Sequence, residues 1–123
     1  MSEPVPLLTT LLVSFNTRGL LTPCLNALAA ARAPLGESPV IVVDNGSVDG
    51  SAEYLEQQHP DVQLIRSGKN LGFGRANNLG LAEVRSKFLL LLNTDAFVPP
   101  DALTKTLAFM EATPTCLDRK SVV

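Results

Sequence analysis

The chain has 123 residues, ten Lys+Arg against twelve Asp+Glu, and a formal net charge of −2. That length allows one domain or part of one. With 46% hydrophobic and 18% charged residues it is no disordered tail, and near-neutrality excludes the basic footprint of a general nucleic-acid binder. Five Phe, one Tyr and no Trp leave little for stacking platforms. Two cysteines, Cys24 and Cys116, are too few for a disulfide scaffold and suit a reducing compartment as packed or idle thiols.

In chain order, the first apolar run, Leu7 to Phe15, is strand-sized, and a helix comes after it with Leu21, Leu25 and Leu28 on one face. Cys24 lies beside that stripe and reads as packing. The second strand, Val40 to Val43, leads to a helix with Val48, Ala52 and Leu55 on one side and Glu53, Glu56 and Gln57 opposite. Asn45-Gly46 is a hairpin dipeptide, but a helical period comes after it. The third strand, Val62 to Ile65, precedes a helix on Leu79 and Ala82. The fourth, Phe88 to Leu92, precedes a helix on Leu103, Leu107 and Met110, with Asp101 as its N-cap. His59 before Pro60 reads as a solvated residue at a helix end. Continuous apolar runs alternating with helices predict an α/β fold: four strand–helix units forming a parallel sheet buried on both faces. No run approaches the roughly 20 residues that span a bilayer, and no targeting segment is visible, so the expectation is a soluble, cytoplasmic chain.

Ligands of open α/β sheets bind beyond the carboxyl ends of the strands, and here those ends are polar. Asp44 can accept hydrogen bonds from a nucleobase or ribose; it equally suits an Asx-turn or helix cap with Asn45-Gly46-Ser47. Asn70 to Asn78, with Gly72, Gly74 and Arg75, opens a helix that would favour an anion; it equally suits an ordinary glycine-containing loop. Asn93-Thr94-Asp95 offers the oxygen donors of a hard cation, or a turn. The glycine spacing fails the dinucleotide fingerprint, and no Walker loop is present. With a single His, a His-based metal site or a Ser-His triad is disfavoured.

Together the stretches LLVSFNTRGLLTPCLNAL, VIVVDNGSVDGSAEYL, NLGFGRANNLGL and FLLLLNTDAFVPPDAL resemble the family 2 glycosyltransferases, with VDNGSVDGS, NLGFGRANN and LLNTDA most similar to the bacterial rhamnosyltransferase-type branch. The resemblance implies the Rossmann-like GT-A fold and a nucleotide-diphosphate sugar donor. Ser14, Phe15 and Asn16 would line the nucleotide pocket. Asp44 would contact base or ribose with Asn45 beside it, and Gly72, Arg75 and Asn78 would lie along the nucleotide and its phosphates. Asn93-Thr94-Asp95 stands in place of the Asp-x-Asp motif, so Asp95 would bind Mg²⁺ or Mn²⁺, while Asn93 departs from the usual first Asp. The implied reaction is a one-step inverting transfer to a hydroxyl of a glycan or lipid-linked acceptor in polysaccharide or cell-surface glycan synthesis, with no nucleic-acid partner. A non-catalytic nucleotide-binding module is the alternative, and a dinucleotide oxidoreductase is less favoured.

The family's catalytic base lies past its metal motif, so it is expected beyond residue 123, together with the acceptor site. Residues 1–117 are read as the N-terminal part of the family's domain, at the inner face of a membrane in the full-length protein. Phe88 to Leu92 is expected as an exposed sheet edge, leaving the chain poorly soluble and inactive alone. Residues 118–123 are read as a non-native tail, because Asp118-Arg119-Lys120-Ser121-Val122-Val123 is what GAT CGG AAG AGC GTC GTG would encode, a string that resembles a common sequencing adaptor.

Overall fold

The computed structural model describes residues 6–112 and 121–122; Cys116 and residues 118–120 and 123 of the expected tail lie outside them. Five parallel strands form one sheet in the order β3-β2-β1-β4-β5. They are β1 (Leu8–Ser14), β2 (Val40–Asp44), β3 (Gln63–Arg66), β4 (Phe88–Leu92) and β5 (Ser121–Val122). Helices α1 (Arg18–Arg32), α2 (Ser51–Gln58), α3 (Phe73–Leu81) and α4 (Ala102–Ala112) connect them.

Alternate residues of the strands serve two cores. Leu8, Leu12, Val40, Val42, Phe88 and Leu90 pack with Leu21, Leu25 and Leu28 of α1, Leu55 of α2, and Leu103 and Leu107 of α4. Leu11, Ile41, Val43 and Leu89 pack on the opposite face with Ala76 of α3 and Val84. Burial on both faces explains why β1, β2 and β4 read as unbroken apolar runs. Outermost, β3 is only half-buried, with Gln63 and Arg66 exposed.

Expectations are corrected at Val48, at α3 and at β4. Val48 is 88% exposed and precedes α2, which starts only after Gly50 turns the chain at φ +86°. The buried side of α3 is Ala76 and Gly80, while Leu79 and Ala82 face solvent. Gly80 sits so close to β1 that any Cβ would run into the Leu11 side chain, which draws the helix onto the sheet by its missing side chain. Finally, β4 is not an edge: Phe88 and Leu89 pair with Ser121 and Val122. That cover is two residues long, and Leu91 beyond it is 38% exposed.

The helix starts are tied together. The Asp49 carboxylate accepts the Arg18 N–H at 3.1 Å and the Ser51 N–H at 3.0 Å, capping α1 and α2 at once. Asp101 sits at the start of α4, with its carboxylate paired to Lys105 at 2.7 Å. His59, expected in solvent, is half-buried; its Nε2 lies 3.1 Å from Thr22 Oγ1, which also contacts the Tyr54 hydroxyl. Among the described residues no helix is long and apolar enough to cross a membrane.

Candidate functional site

Parallel strands point all their carboxyl ends to one edge of the sheet. There a cavity of about 590 Å³ opens at the ends of β1, β2 and β4 and the start of α3. Its apolar wall is Val13, Phe15, Leu20 and Phe73; its polar wall is Asn45, Asn70, Asn93, Thr94 and Asp95, with Thr17 and Gly72 between. Five of the residues singled out from sequence thus come together: Phe15, Asn45, Gly72, Asn93 and Asp95. Ser14, Asn16, Asp44, Arg75 and Asn78 are not among the lining residues.

Asp44 ends β2, 4% exposed. Its Oδ2 accepts the Ser47 N–H at 3.1 Å, the turn that the sequence alone allowed. Its Oδ1 is buried with no hydrogen-bond partner among the described residues. A buried carboxylate oxygen left unpaired costs about 1–3 kcal/mol or more, and this one belongs to the residue before the cavity-lining Asn45. Asn45, next along, accepts the Leu71 N–H at 2.9 Å and donates to Asn70 Oδ1 at 3.2 Å.

The turn after β1 is held from the β2 side. Asn16, at φ +53°, gives its N–H to Ser47 Oγ at 2.9 Å and takes the Val48 N–H on its Oδ1 at 2.8 Å. Asn tolerates the left-handed region better than most side chains. Ser14 is fully buried with its hydroxyl 2.8 Å from Thr17 Oγ1, so it braces the turn. Burial pushes the Asp49 carboxyl up, but hydrogen bonds from the Ser51 hydroxyl and from the Arg18 and Ser51 N–H groups outweigh it and hold the group below its ordinary value.

Asp95 and Asn93 are exposed after β4, with Thr94 buried between them. No group of three or more His, Cys, Asp or Glu gathers among the described residues. The donor set is one carboxylate and one amide on a cavity wall. It fits a hard cation that takes few protein oxygens and completes its shell with water and phosphate, as Mg²⁺ does; it does not fit a closed protein cage. Cys24 lies behind this segment, 1% exposed, its thiol 3.6 Å from the Asn93 carbonyl. Burial pushes that thiol up and the Asp95 charge adds to it, against a backbone hydrogen bond at Ala96, and Cys24 packs in the core with Leu21, Leu25 and Leu28.

Asn70, Leu20 and Phe73 were not foreseen as site residues. Asn70 carried a signal, since Asn favours an Asx-turn to the residue two ahead, and its Oδ1 accepts the Gly72 N–H at 2.8 Å.

Residues 9–120 match the model of the family described as Glycosyl transferase family 2. The chain is 39% identical over 64 residues to N-acetylglucosaminyl-diphospho-decaprenol L-rhamnosyltransferase of Mycobacterium tuberculosis, covering 50% of this chain and 21% of that protein. Staphylococcus aureus TarS 1-349 in complex with UDP-GlcNAc superposes with a TM-score of 0.74 at 26% identity, covering 86% of this chain and 31% of that one. A mannosyltransferase from Pyrobaculum calidifontis in complex with GDP-Man and Mn²⁺ has the same fold, with a TM-score of 0.77 at 23% identity over 87% of this chain and 33% of its own. The chain therefore spans a fifth to a third of the length of these proteins.

Proposed function

The chain belongs to glycosyl transferase family 2, and from that membership we propose that its crevice holds the nucleoside diphosphate of an activated sugar donor. The protein that it represents moves the sugar to a hydroxyl of a glycan or lipid-linked acceptor in a single inverting step. The observation that carries this reading is the pair of carboxylates at one sheet edge. Asp44 ends β2 with an orphaned buried oxygen, and Asp95 comes after β4 on the cavity wall. Both strands flank β1, so they run about 10 Å apart, a span on the scale of a nucleoside diphosphate.

In this reading Asp44 Oδ1 takes a base N–H or a ribose hydroxyl, while Phe15 and Leu20 exclude water. Gly72, at φ +85° and ψ 160°, begins α3 with no side chain, so backbone N–H groups at the positive end of that helix face the phosphates. Ser14, Asn16 and Asn45 shape the pocket by holding its turns. Arg75 and Asn78 stand exposed on α3; the Arg75 charge favours a diphosphate within a Debye length of about 8 Å. Asp95, with the Asn93 amide beside it, would hold Mg²⁺ or Mn²⁺, which supplies neutralisation of the diphosphate's charge as a Lewis acid. No described residue is assigned as the base that takes the acceptor proton.

The support is the family match, the UDP-GlcNAc and GDP-Man complexes of the structural neighbours, and the placement of the two carboxylates. Saturation-transfer NMR on the 123-residue chain with UDP-, GDP- and dTDP-sugars and with NAD⁺ tests it. Saturation of one nucleotide sugar and none of NAD⁺ is expected; NAD⁺ binding alone would revive the dinucleotide reading.

A further inference from the structure

We infer that Asn45 and Asn70 are positioning residues: their interlocked amides hold the loop of residues 67–72 against the end of β2 and thereby set the wall from which Gly72 and Phe73 face the crevice. The inference deepens the donor-site reading and rests on it. Asn45 is 3% exposed, and an amide oxygen has two acceptor sites. One is taken by the Leu71 N–H at 2.9 Å, while the Ser67 hydroxyl beside it gives its single proton to the Lys69 carbonyl at 2.6 Å. Its Nδ2 donates to Asn70 Oδ1 at 3.2 Å, and that oxygen's second site accepts the Gly72 N–H at 2.8 Å. Both acceptor sites of Asn70 Oδ1 and one of Asn45 Oδ1 are thus spent on the protein, and these bonds tie Asn45 to the loop.

A separate observation shows how tightly the two segments are pressed together. Gly46 has φ +83°, and a Cβ there would stand 2.6 Å from the Lys69 carbonyl carbon and 2.7 Å from the Asn70 nitrogen. Backbone rests on backbone at that point. The Ser67 N–H to Asp44 carbonyl bond at 3.0 Å closes the near end of the same contact. The loop is therefore fixed at Ser67, over Gly46 and at Asn70, and Gly72 and Phe73 at its far end are cavity wall.

The interlock has a direction, which separates it from simple space-filling. Asn45→Asp keeps the acceptor and removes the donor, setting a carboxylate oxygen against Asn70 Oδ1. Asn70→Asp keeps both acceptances that Asn70 makes. Two changes equal in size and charge thus have opposite expected effects. Hydrogen exchange on the 123-residue chain reads them: in Asn45→Asp the Leu71 and Gly72 amides exchange roughly tenfold faster, the effect of one net hydrogen bond, while β1 amides keep their protection. In Asn70→Asp the two amides stay protected. Unchanged exchange in Asn45→Asp, or equal loosening in both variants, overturns the inference. If Asn45→Asp unfolds the whole chain, Asn70→Ala at an exposed side chain takes its place, and exchange there must rise at Gly72 or the inference fails. Titration with UDP and MnCl₂ supplies the functional arm: about tenfold weaker binding to Asn45→Asp supports the role, and equal binding with a loosened loop overturns it. Should UDP, GDP and dTDP all fail to bind the unaltered chain, the donor-site reading fails, while the exchange result still decides the interlock.

Discussion

The Ser47 N–H reaches Asp44 Oδ2 across 3.1 Å, while the companion Oδ1, itself buried, meets no donor among the described residues. One oxygen of this carboxylate serves the fold and the other is held at a cost. Asp44→Asn removes the charge that makes an unpaired oxygen expensive, so its urea midpoint is expected to equal or exceed that of the parent chain. Nucleoside-diphosphate affinity should instead fall tenfold or more, since a hydrogen bond to a charged group is worth about 1.5–3 kcal/mol. Stability and binding thus move independently or in opposite senses.

Gly80 is required by Leu11, 1% exposed beneath it. Gly80→Ala gains about 1 kcal/mol of helix propensity but overpacks the sheet contact at about 1–3 kcal/mol. The expected net loss is up to about 2 kcal/mol, seen as a lower urea midpoint at unchanged slope. Leu11→Ala alone should also destabilise, and the double variant should lose less than the sum, because the smaller residue makes room for the added methyl.

Asp49 caps α1 and α2 with one carboxylate. Its pKa is lowered in the folded chain, so the stability it contributes is full above the unfolded value of about 3.9. That contribution is lost as pH falls through the lower folded value. Asp49→Asn offers one acceptor where two N–H groups need one each, and it should cost about 0.5–2 kcal/mol at pH 7, the range of a lost cap. The gap between parent and variant should close below pH 4, as urea titrations across pH 2–7 would record; a gap that widens on acidification would contradict the cap.

The strands were legible because a doubly covered parallel sheet leaves unbroken apolar runs, and β1, β2 and β4 are such runs. The face of α3 was not, since Gly80 contributes through an absent side chain and hydrophobic periodicity points instead to Leu79 and Ala82. Val48 continues the apolar period of α2 on paper, yet the chain breaks at Gly50. Two-residue β5 carries no apolar run of its own. At the site, Phe15, Asn45, Gly72, Asn93 and Asp95 could be named from strand ends and the family resemblance. The roles of Asn45, Asn16 and Ser14 there could not, because a polar residue at a strand end looks the same whether it faces a ligand or a neighbouring turn.

The central claim is that Asp95 faces a diphosphate in the crevice at the strand ends, whose lining includes Asn45 directly after Asp44. Calorimetric titration of UDP, GDP and dTDP into the 123-residue chain, with MnCl₂ and with EDTA, for the parent and for Asp95→Ala, tests it most directly. One nucleotide should bind only with the metal present, and Asp95→Ala should weaken that binding at least tenfold with no change in the urea midpoint. Binding that ignores both EDTA and the loss of Asp95 would contradict the claim.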